Sequence, residues 1–425
     1  MERLPGFRDF YPYPVPPGEA WSYESRRHIE ETWAQTARSF GFFEYDGPPL
    51  EPLELYTLKS GDEIVGQLYN FQDKGERDIS LRPEMTPTLV RMAAARERNY
   101  KKPLKWFSTP QLFRYERQQK GRLREHIQFN ADILGESDLS ADAELITLLV
   151  HSLRRLGLTE EDFVVRLSSR NAWNDYFHER SSNSAHEYSF YQIIDKMERE
   201  SPDVTKEKLQ QIGFDADEVR SFIAESRPTS ELQTLLSYLD DRGIGNYVKL
   251  DYNVIRGLAY YTGPVFEAFD RKGEFRAIAG GGRYDHLLKL ITKGKQDMPA
   301  LGFGMGDVVL TELLKSRGRL PEASSAIDVY VLIEDESRRK ASLEVANTLR
   351  LEKINVEYAL TPSGGNKQFK KAKELKARFT LKLDGEATSA TYFLKRLETG
   401  DENRYDSLDS LKAALKAALN AHCHP

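Results

Sequence analysis

One stretch of the chain, residues 111–134, constrains the possible folds more than any other. Its second half alternates strictly between apolar and polar side chains. The apolar residues are Ile127, Phe129, Ala131 and Ile133, and the polar ones are His126, Gln128, Asn130 and Asp132. Because successive side chains of a strand point to opposite faces, this pattern predicts one long strand with an apolar and a polar face. The preceding residues, QLFRYE and a loop rich in Gln, Lys, Gly and Arg, predict a partner strand. The stretch therefore predicts an antiparallel hairpin.

The polar face of this hairpin has two interpretations. A half-exposed antiparallel strand commonly shows the same alternation, with its polar side chains in water. Exposed strand faces tend to carry Thr, Lys and Glu, however, whereas this one offers amides and a short carboxylate, with Arg114 and Glu116 on one face of the first strand. The loop adds four side chains that donate hydrogen bonds to anions, namely Arg117, Lys120, Arg122 and Arg124. Spacing alone thus modestly favours a site for a polar small molecule.

Two further segments combine glycines with aromatic residues. In VIRGLAYYTGPVFE, Arg256 precedes Tyr260 and Tyr261, a pattern that a tight turn with packed tyrosines would also produce. In AGGGRYD, three glycines stand before Arg283 and permit close approach of the backbone to a ligand. Neither segment has the spacing of a Rossmann or a P-loop nucleotide site. Taken alone, each is a weak indication.

The first half of the chain mixes helices and strands. The spacing of apolar residues predicts a helix over residues 19–40, and a second helix is expected to open at Thr86 and Pro87, with the Thr86 hydroxyl as its N-cap. Residues 171–240 are charged, carry turn signals at Ser201–Pro202 and Pro228–Thr229, and show no strand alternation, so they predict a helical insertion between two halves of the sheet. Strands are then expected at VKLDYNVI, PVFEAF and FRAIA.

The last quarter of the chain predicts a separate small domain. PEASS, residues 321–325, is the expected linker, and after it strands alternate with helices as in a compact α/β domain. One of these helices is unusually basic: residues 367–382 contain seven Lys or Arg and one acid, Glu374. Phe369, Ala372 and Leu375 would pack inward and leave most of the lysines outward.

Composition excludes several classes of protein. The 425 residues suffice for two or three domains, and the single Cys423 excludes an internal disulfide framework and a cysteine-rich zinc site. The eight histidines form no cluster with metal-ligand spacing, so no metal site is predicted among the side chains. No run of residues has the length of a signal peptide or a membrane span. These features indicate a soluble protein of a reducing compartment, expected in the cytoplasm.

Together, these segments resemble the class II aminoacyl-tRNA synthetases, and specifically the histidyl-tRNA synthetases. The resemblance spans nearly the whole chain. It covers GFRDFYP near the N-terminus, the motif 1 region ending at Pro48–Pro49, LRPEMT, the motif 2 hairpin FRYERQQKGR, RGLAYYTG, AGGGRYD, and GFGMG where motif 3 begins. It implies an α+β fold: an antiparallel-sheet catalytic domain over residues 1–320 with the helical insertion, and an α/β anticodon-binding domain over residues 326–425.

The resemblance also implies an activity. Members of this family join histidine and ATP, with Mg²⁺, into histidyl-adenylate and transfer the histidyl group to the 3′ end of tRNA-His. Arg114 matches the motif 2 arginine on the ATP α-phosphate, and Arg256 matches an arginine across the α-phosphate and the carboxylate. These two residues are the expected catalytic pair. The remaining residues expected at the ATP are Glu116, Arg122 and His126. Those expected at the histidine are Glu84, Thr86, Gln128, Asp132, Tyr260, Tyr261, Arg283 and Tyr284.

The chain departs from the family pattern at the adenine. Class II enzymes usually hold the base between a motif 2 aromatic residue and a motif 3 arginine, and the matching positions here are His126 and Val309. A valine cannot make the cation–π contact, which is worth about 0.5–2 kcal/mol. This loss keeps two alternatives open. One is a non-catalytic, synthetase-like regulatory subunit of ATP phosphoribosyltransferase, and the other is a tRNA-binding paralogue without catalysis. The complete C-terminal domain favours the ligase.

The resemblance implies partners as well. Class II enzymes place the motif 1 region, here about residues 40–53, at a two-fold interface, so a homodimer is expected. The C-terminal domain is expected to read the anticodon of tRNA-His, with the basic helix contributing phosphate contacts. No membrane partner is expected.

Overall fold

The computed structural model describes residues 2–16, 21–60, 62–115, 123–198, 200–255, 261–321, 327–384 and 390–420. The chain divides into two compact units. The first comprises Met1–Asp9 and Ser25–Leu320, and the second comprises Phe10–Glu24 and Pro321–Pro425. The following elements belong to these ranges.

The strands are β1 (Phe10–Tyr11), β2 (Trp21–Ser22), β3 (Phe43–Glu44), β4 (Leu50–Pro52), β5 (Asn70–Gln72), β6 (Asp78–Leu81), β7 (Leu104–Ser108), β8 (Gln111–Phe113), β9 (Glu125–Leu134), β10 (Phe163–Ser169), β11 (Val248–Leu250), β12 (Pro264–Asp270), β13 (Ala279–Arg283), β14 (Ala300–Gly306), β15 (Val329–Leu332), β16 (Val356–Tyr358), β17 (Phe379–Asp384), β18 (Thr391–Arg396) and β19 (Glu402–Tyr405). The α-helices are α1 (Tyr23–Ser39), α2 (Glu54–Ser60), α3 (Thr86–Arg96), α4 (Leu139–Arg155), α5 (Arg170–Arg180), α6 (Glu187–Lys196), α7 (Pro202–Gln211), α8 (Ala216–Glu225), α9 (Ser230–Asp241), α10 (Leu287–Ile291), α11 (Asp307–Ser316), α12 (Arg339–Leu351), α13 (Gly365–Glu374) and α14 (Leu408–Asn420).

A large, mostly antiparallel sheet organises the first unit. Its strands follow the order β11-β10-β12-β13-β14-β9-β7-β3, and β8 pairs with β9 as the other arm of the predicted hairpin. The hairpin and the antiparallel sheet are therefore confirmed. Helices α1 and α4 supply apolar side chains to the core on one face of the sheet, where the rings of Trp33 and Phe129 stack with their centroids 5.6 Å apart.

Residues 171–240 are helical, as their composition predicts. Two of the expected turns are helix N-caps: Ser201 accepts a hydrogen bond from the backbone of Val204 at the start of α7, and Thr229 accepts one from Leu232 at the start of α9. The helices pack around a buried aromatic group that includes Trp173, whose indole NH donates to the carbonyl oxygen of Tyr252 at 3.1 Å. This packing accounts for the absence of strand alternation in the segment.

The strand expected at FRAIA begins later in the chain, because the glycine run of AGGGRYD itself forms the strand. Strand β13 is itself Ala279–Arg283, and it pairs with β12 and β14 on its two sides. A side chain at Gly281 would collide with Phe303 of the adjacent strand, since an added Cβ would lie 2.5 Å from the Phe303 Cβ. Close packing between neighbouring strands thus explains this glycine.

The start of α3 also differs from the prediction. Thr86 is the first helical residue, Met85 occupies the N-cap position, and no side chain caps the helix there. Pro87 follows inside the first turn, where its missing NH costs nothing. The helix therefore begins one residue earlier than predicted, and Pro87 is its second residue instead of its first.

The second unit contains a five-stranded sheet in the order β16-β15-β17-β18-β19. Its strands and helices follow the predicted alternation, apart from β19, whose sequence ENRY is polar and exposed and so carries no apolar signal. The expected linker lies mostly outside the described residues. In the described ranges, no helix is long and apolar enough to cross a membrane.

Candidate active site

The polar face of β9 forms part of a deep cleft in the first unit. His126 and Gln128 are half-buried, and Asn130 and Asp132 are 5% and 2% exposed, so this face is not the solvent-facing side of an ordinary strand. The alternating residues on its other face, such as Phe129, are buried in the core. The polar side chains therefore belong to an internal site.

The neighbouring strand β14 makes room for these side chains by carrying glycines opposite them. Its sequence ALGFGMG alternates apolar residues with Gly302, Gly304 and Gly306. A Cβ at Gly304 would lie 2.7 Å from Cδ of Gln128, and one at Gly302 would lie 2.7 Å from Cγ of Asp132. Since real Cβ atoms do not approach that closely, alanine at either position would displace the polar side chain.

A cavity of about 760 Å³ lies over this part of the sheet. Three of its lining residues are site residues predicted from the sequence: Arg114, His126 and Gln128. Five further polar residues line it that the sequence analysis missed: Asp195, Glu198, Asn253, Glu267 and Arg276. The alternation of apolar and polar residues along β12 could have identified Glu267, which pairs with Gly280 of β13. Helix α6, which carries Asp195 and ends just before Glu198, gave no such signal.

Arg114 is held at the edge of this cavity by backbone contacts. Its Nε donates to the carbonyl oxygen of Pro83 at 3.0 Å, and its backbone NH donates to the carbonyl oxygen of Arg124 at 2.9 Å. The buried Arg82 ties the same segment to the hairpin, because its Nε donates to the carbonyl oxygen of Gln111 at 3.0 Å. Glu84 and Thr86, both half-buried, follow directly in the chain. The guanidinium of Arg114 is thus preorganised beside the segment that carries Glu84.

His126 faces the cavity as a neutral ring. Burial first, and then the positive charges of Arg114 and Arg8, lower the pKa of this histidine to about 3. At neutral pH the imidazole therefore carries no charge. A neutral, flat ring lining the cavity can stack on an aromatic ligand without adding a charge to the site.

Asp132 and Tyr284 meet further along the polar face. The Tyr284 hydroxyl donates a hydrogen bond to the Asp132 carboxylate at 2.5 Å, and both residues are 2% exposed. Tyr261 is also buried, in the same apolar cluster as Tyr284. The structure thus brings Asp132 and Tyr284, two of the residues predicted for the imidazole, into contact. A third, Tyr261, lies in the same buried cluster as Tyr284.

Arg283 lies on the other side of the sheet. It pairs with Leu301, whose side chain belongs to the core, so the alternation of β13 points Arg283 away from the polar face. There its guanidinium forms a buried ion pair with Asp142 of α4 and donates to the carbonyl oxygen of Glu136 at 2.9 Å. Burial raises the pKa of Asp142 to about 6, and the Arg283 charge opposes this rise. The contacts of Arg283 therefore connect the sheet to α4 and not to the cavity.

Four predicted site residues, Glu116, Arg122, Arg256 and Tyr260, lie outside the described residues, as do the loop residues Arg117 and Lys120. Val309 is described and lines the cavity from the first turn of α11.

A buried ionic network beneath the hairpin was not predicted. The guanidinium of Arg8 pairs with Asp307 at 2.8 Å and with Glu125 at 3.2 Å, and all three side chains are at most 7% exposed. Asp307 also accepts a hydrogen bond from the backbone NH of Ile127 at 3.0 Å. The network joins the N-terminal segment, β9 and α11, which are distant in sequence. No local pattern in the sequence pairs these residues.

Comparison with known proteins gives the family. A family model described as histidyl-tRNA synthetase matches residues 15–307. The histidine–tRNA ligase of Opitutus terrae is 44% identical over 403 residues, which cover 90% of this chain and 90% of that protein. The chain belongs to the histidyl-tRNA synthetase family.

Solved structures of the family share the fold. The histidyl-tRNA synthetase of Nostoc sp. PCC 7120 is similar with a TM-score of 0.78 at 21% identity, covering 97% of this chain and all of that one. A Bacillus halodurans protein described as an ATP phosphoribosyltransferase regulatory subunit/histidyl-tRNA synthetase has a TM-score of 0.69 at 22% identity, covering 84% of this chain and 92% of that one. The predicted class II synthetase fold is confirmed, and the likeness between these structures reaches no further than the fold.

Proposed function

We propose that the chain is a ligase that activates histidine with ATP to histidyl-adenylate and transfers the histidyl group to the 3′ end of tRNA-His. The observation that carries this proposal is the 44% identity, over 90% of both chains, to a histidine–tRNA ligase. The cavity supports it, since Arg114, Gln128 and His126, all expected at the substrates, line one space. Family membership and the site thus lead to the same reaction.

The reaction needs the two substrates to be positioned and the growing negative charge to be stabilised. It does not need a nucleophilic side chain. The carboxylate of histidine attacks the α-phosphorus of ATP, and pyrophosphate leaves. Arg114 is the donor proposed to stabilise the negative charge that grows on the phosphoryl oxygens, and its backbone contacts hold it ready before ATP binds. Arg256 is proposed as the second catalytic residue, with Glu116 and Arg122 completing the ATP contacts.

The histidine is proposed to lie along the polar face of β9. Glu84 and Thr86 would accept hydrogen bonds from its ammonium group, and Gln128 would contact its carboxylate. Asp132 would face the imidazole, with Tyr260, Tyr261 and Tyr284 around it. The hydrogen bond from Tyr284 fixes the Asp132 carboxylate, which supports this assignment. Arg283 would then act through the backbone that it holds in place.

Mg²⁺ is the ion proposed to accompany ATP. Magnesium is usually bound by one or two carboxylates together with substrate phosphates, so no cage of protein ligands is required. The described carboxylates that line the cavity are Asp195, Glu198 and Glu267, and Glu198 pairs with Arg166 at 3.2 Å. This donor set fits the ion, and one or two of these carboxylates would hold it. When bound, magnesium would neutralise charge on the phosphates.

Pyrophosphate exchange is the experiment that tests this function. The full chain should catalyse exchange of labelled pyrophosphate into ATP only when histidine is present, and it should charge tRNA-His. Histidine binding without exchange would instead support the regulatory-subunit alternative, whose fold the chain shares. Exchange with another amino acid in place of histidine would contradict the proposed substrate.

Residues 326–425, which lie in the second unit, are proposed to form a domain that binds the anticodon arm, and residues 1–320 are proposed to form the catalytic domain. In α13 the buried residues are Gln368 and Ala372, whereas Lys367, Lys370, Lys371 and Lys373 are exposed. Gln368, and not Phe369, is the principal inward residue, because its amide bonds to both backbone groups of Ile333. The half-exposed ring of Phe369 is available for stacking on bases, with Lys373 4.9 Å from its centroid.

Replacing Lys370, Lys371 and Lys373 together with Glu is expected to raise the KM for tRNA at least tenfold, because phosphate contacts dominate nucleic-acid affinity. Histidine-dependent pyrophosphate exchange should not change, since its residues lie in the first unit. Steady-state charging at several salt concentrations measures the effect, and the variant should also show a weaker salt dependence. Normal charging at physiological salt would show that tRNA approaches another surface.

A homodimer is proposed through the motif 1 region. Strand β3 pairs with β7 at one end of the described sheet, and Phe43 on β3 is 73% exposed. Leu50 on β4 is 40% exposed, so the motif 1 region carries two exposed apolar side chains. We expect sedimentation equilibrium at micromolar concentration to give twice the chain mass. Replacing Phe43 with Arg should yield monomers, and a monomeric parent chain would contradict the proposal.

A further inference from the structure

The cavity contains an arginine whose role the proposed function leaves open. Of the described residues that line the cavity, two carry a positive charge, Arg114 and Arg276. Arg276 is exposed and lies in the segment between β12 and β13, whereas Arg114 follows β8. In the sheet, β14 and β9 separate β13 from β8. The two guanidiniums therefore approach the cavity from opposite sides of the polar face.

Strand register places Arg276 at the same end of the sheet as His126 and Val309. Ala279, the first residue of β13, pairs with Met305, two residues before α11 begins. The residues just before β13 consequently lie at the end of the sheet where the first turn of α11 presents Val309. Gln128 pairs with Gly306, which brings His126 of β9 to the same end. All three side chains line the cavity there.

This end of the cavity has the character of a site for a neutral aromatic base. The His126 ring is neutral, and α11 offers the methyl groups of Val308 and Val309. A guanidinium is planar, remains charged, and stacks on aromatic faces more readily than an ammonium group. Arg114 also lines the cavity, but its Nε is bonded to the carbonyl oxygen of Pro83 and it is already assigned to the α-phosphate, so Arg276 is the other described lining residue that can supply such a group.

We propose that Arg276 is an ATP-binding residue that stacks its guanidinium on the face of the adenine opposite His126. The inference rests on the proposed function, because it takes ATP as the ligand. The cation–π contact with the base thus comes from Arg276, in the segment before β13. Val309, which α11 carries on that side, cannot make this contact. Since the contact is to the base, it acts on every adenine nucleotide alike, with or without the β- and γ-phosphates.

The test compares ATP and AMP on the full chain. Loss of one cation–π contact corresponds to an affinity change of about 2- to 30-fold. We expect Arg276→Ala to raise the KM for ATP in histidine-dependent exchange about tenfold, with the KM for histidine unchanged. The Kd for AMP, measured by calorimetry, should rise by the same factor. Lys272→Ala is the matched control, because it removes an exposed cation of the same segment that does not line the cavity.

A second variant tests the stacking geometry. Adding Val309→Arg to Arg276→Ala should recover ATP and AMP affinity, since the guanidinium would then reach the base from α11. Unchanged ATP affinity in Arg276→Ala would overturn the inference, and so would a loss for ATP without a loss for AMP, which would make Arg276 a phosphate ligand. Failure of the parent chain to exchange would count against the proposed function alone, because the binding measurements would still decide the role of Arg276.

Discussion

Replacing Arg114 with alanine is expected to lower the rate of histidine-dependent pyrophosphate exchange by about 10²–10³-fold, the usual cost of losing one preorganised donor to developing charge. The reason lies in the contacts of this side chain. The carbonyl oxygen of Pro83 and the pairing with Arg124 fix the guanidinium before ATP arrives, so little reorganisation accompanies the reaction. Single-turnover measurement of adenylate formation reports the chemical step directly.

Arg114→Lys provides the matched variant. Lysine keeps the charge but cannot make the bidentate contact of a guanidinium, so we expect it to recover only part of the rate. Circular dichroism and the melting temperature should match those of the parent chain for both variants, because Arg114 is only half-buried. Near-normal exchange by Arg114→Ala, with the fold intact, would remove this residue from the mechanism.

Replacing Arg8 with alanine is expected to lower the free energy of unfolding of the first unit by about 3–5 kcal/mol, the typical cost of removing one partner of a buried ion pair. Glu125 and Asp307 would remain as two buried carboxylates without the cation that now lies between them. Urea denaturation followed by tryptophan fluorescence measures the loss. Arg3→Ala is the control, because Arg3 also pairs with a carboxylate, Asp9, but at the surface, where such pairs contribute about 0–1 kcal/mol.

The deficit of Arg8→Ala should depend on pH in a defined direction. Burial already raises the pKa of Asp307, and the Arg8 charge holds it down. Without Arg8, the folded-state pKa rises further above the unfolded value, so the folded variant binds more protons than the unfolded one. Its stability relative to the parent chain should therefore improve as the pH falls from 8 towards 5. A deficit that stays constant over this range would show that lost packing, and not charge, causes the instability.

The parts of the fold that the sequence predicted are those with local patterns. The alternation from His126 to Ile133 sets the two faces of β9 without reference to any other strand, and Ser201 and Thr229 mark helix starts by their own hydrogen bonds. The residues expected on the polar face are consequently found there. The same reasoning could not place β19, since an exposed polar edge strand has no apolar residues to reveal its period.

Contacts that depend on strand register or on distant pairing were not predictable. Arg283 was expected near the imidazole because its segment, AGGGRYD, matches the family, but as part of β13 it points to the opposite face. Arg8 and Asp307 are separated by 299 positions, and nothing near either residue indicates the other. Arg276 was missed for a similar reason, since its place in the cavity follows from the pairing of β13 with β14 and not from its own neighbours.

The glycines of β14 have a consequence for inhibitor selectivity. The Gln128 amide fills the space above Gly304, so a compound that directs a substituent against this backbone must first displace Gln128. In an enzyme with alanine at this position the amide would already be displaced, and the same substituent would meet the methyl group instead. Since this difference lies in a central strand and not in a surface loop, conformational adjustment would do little to erase it.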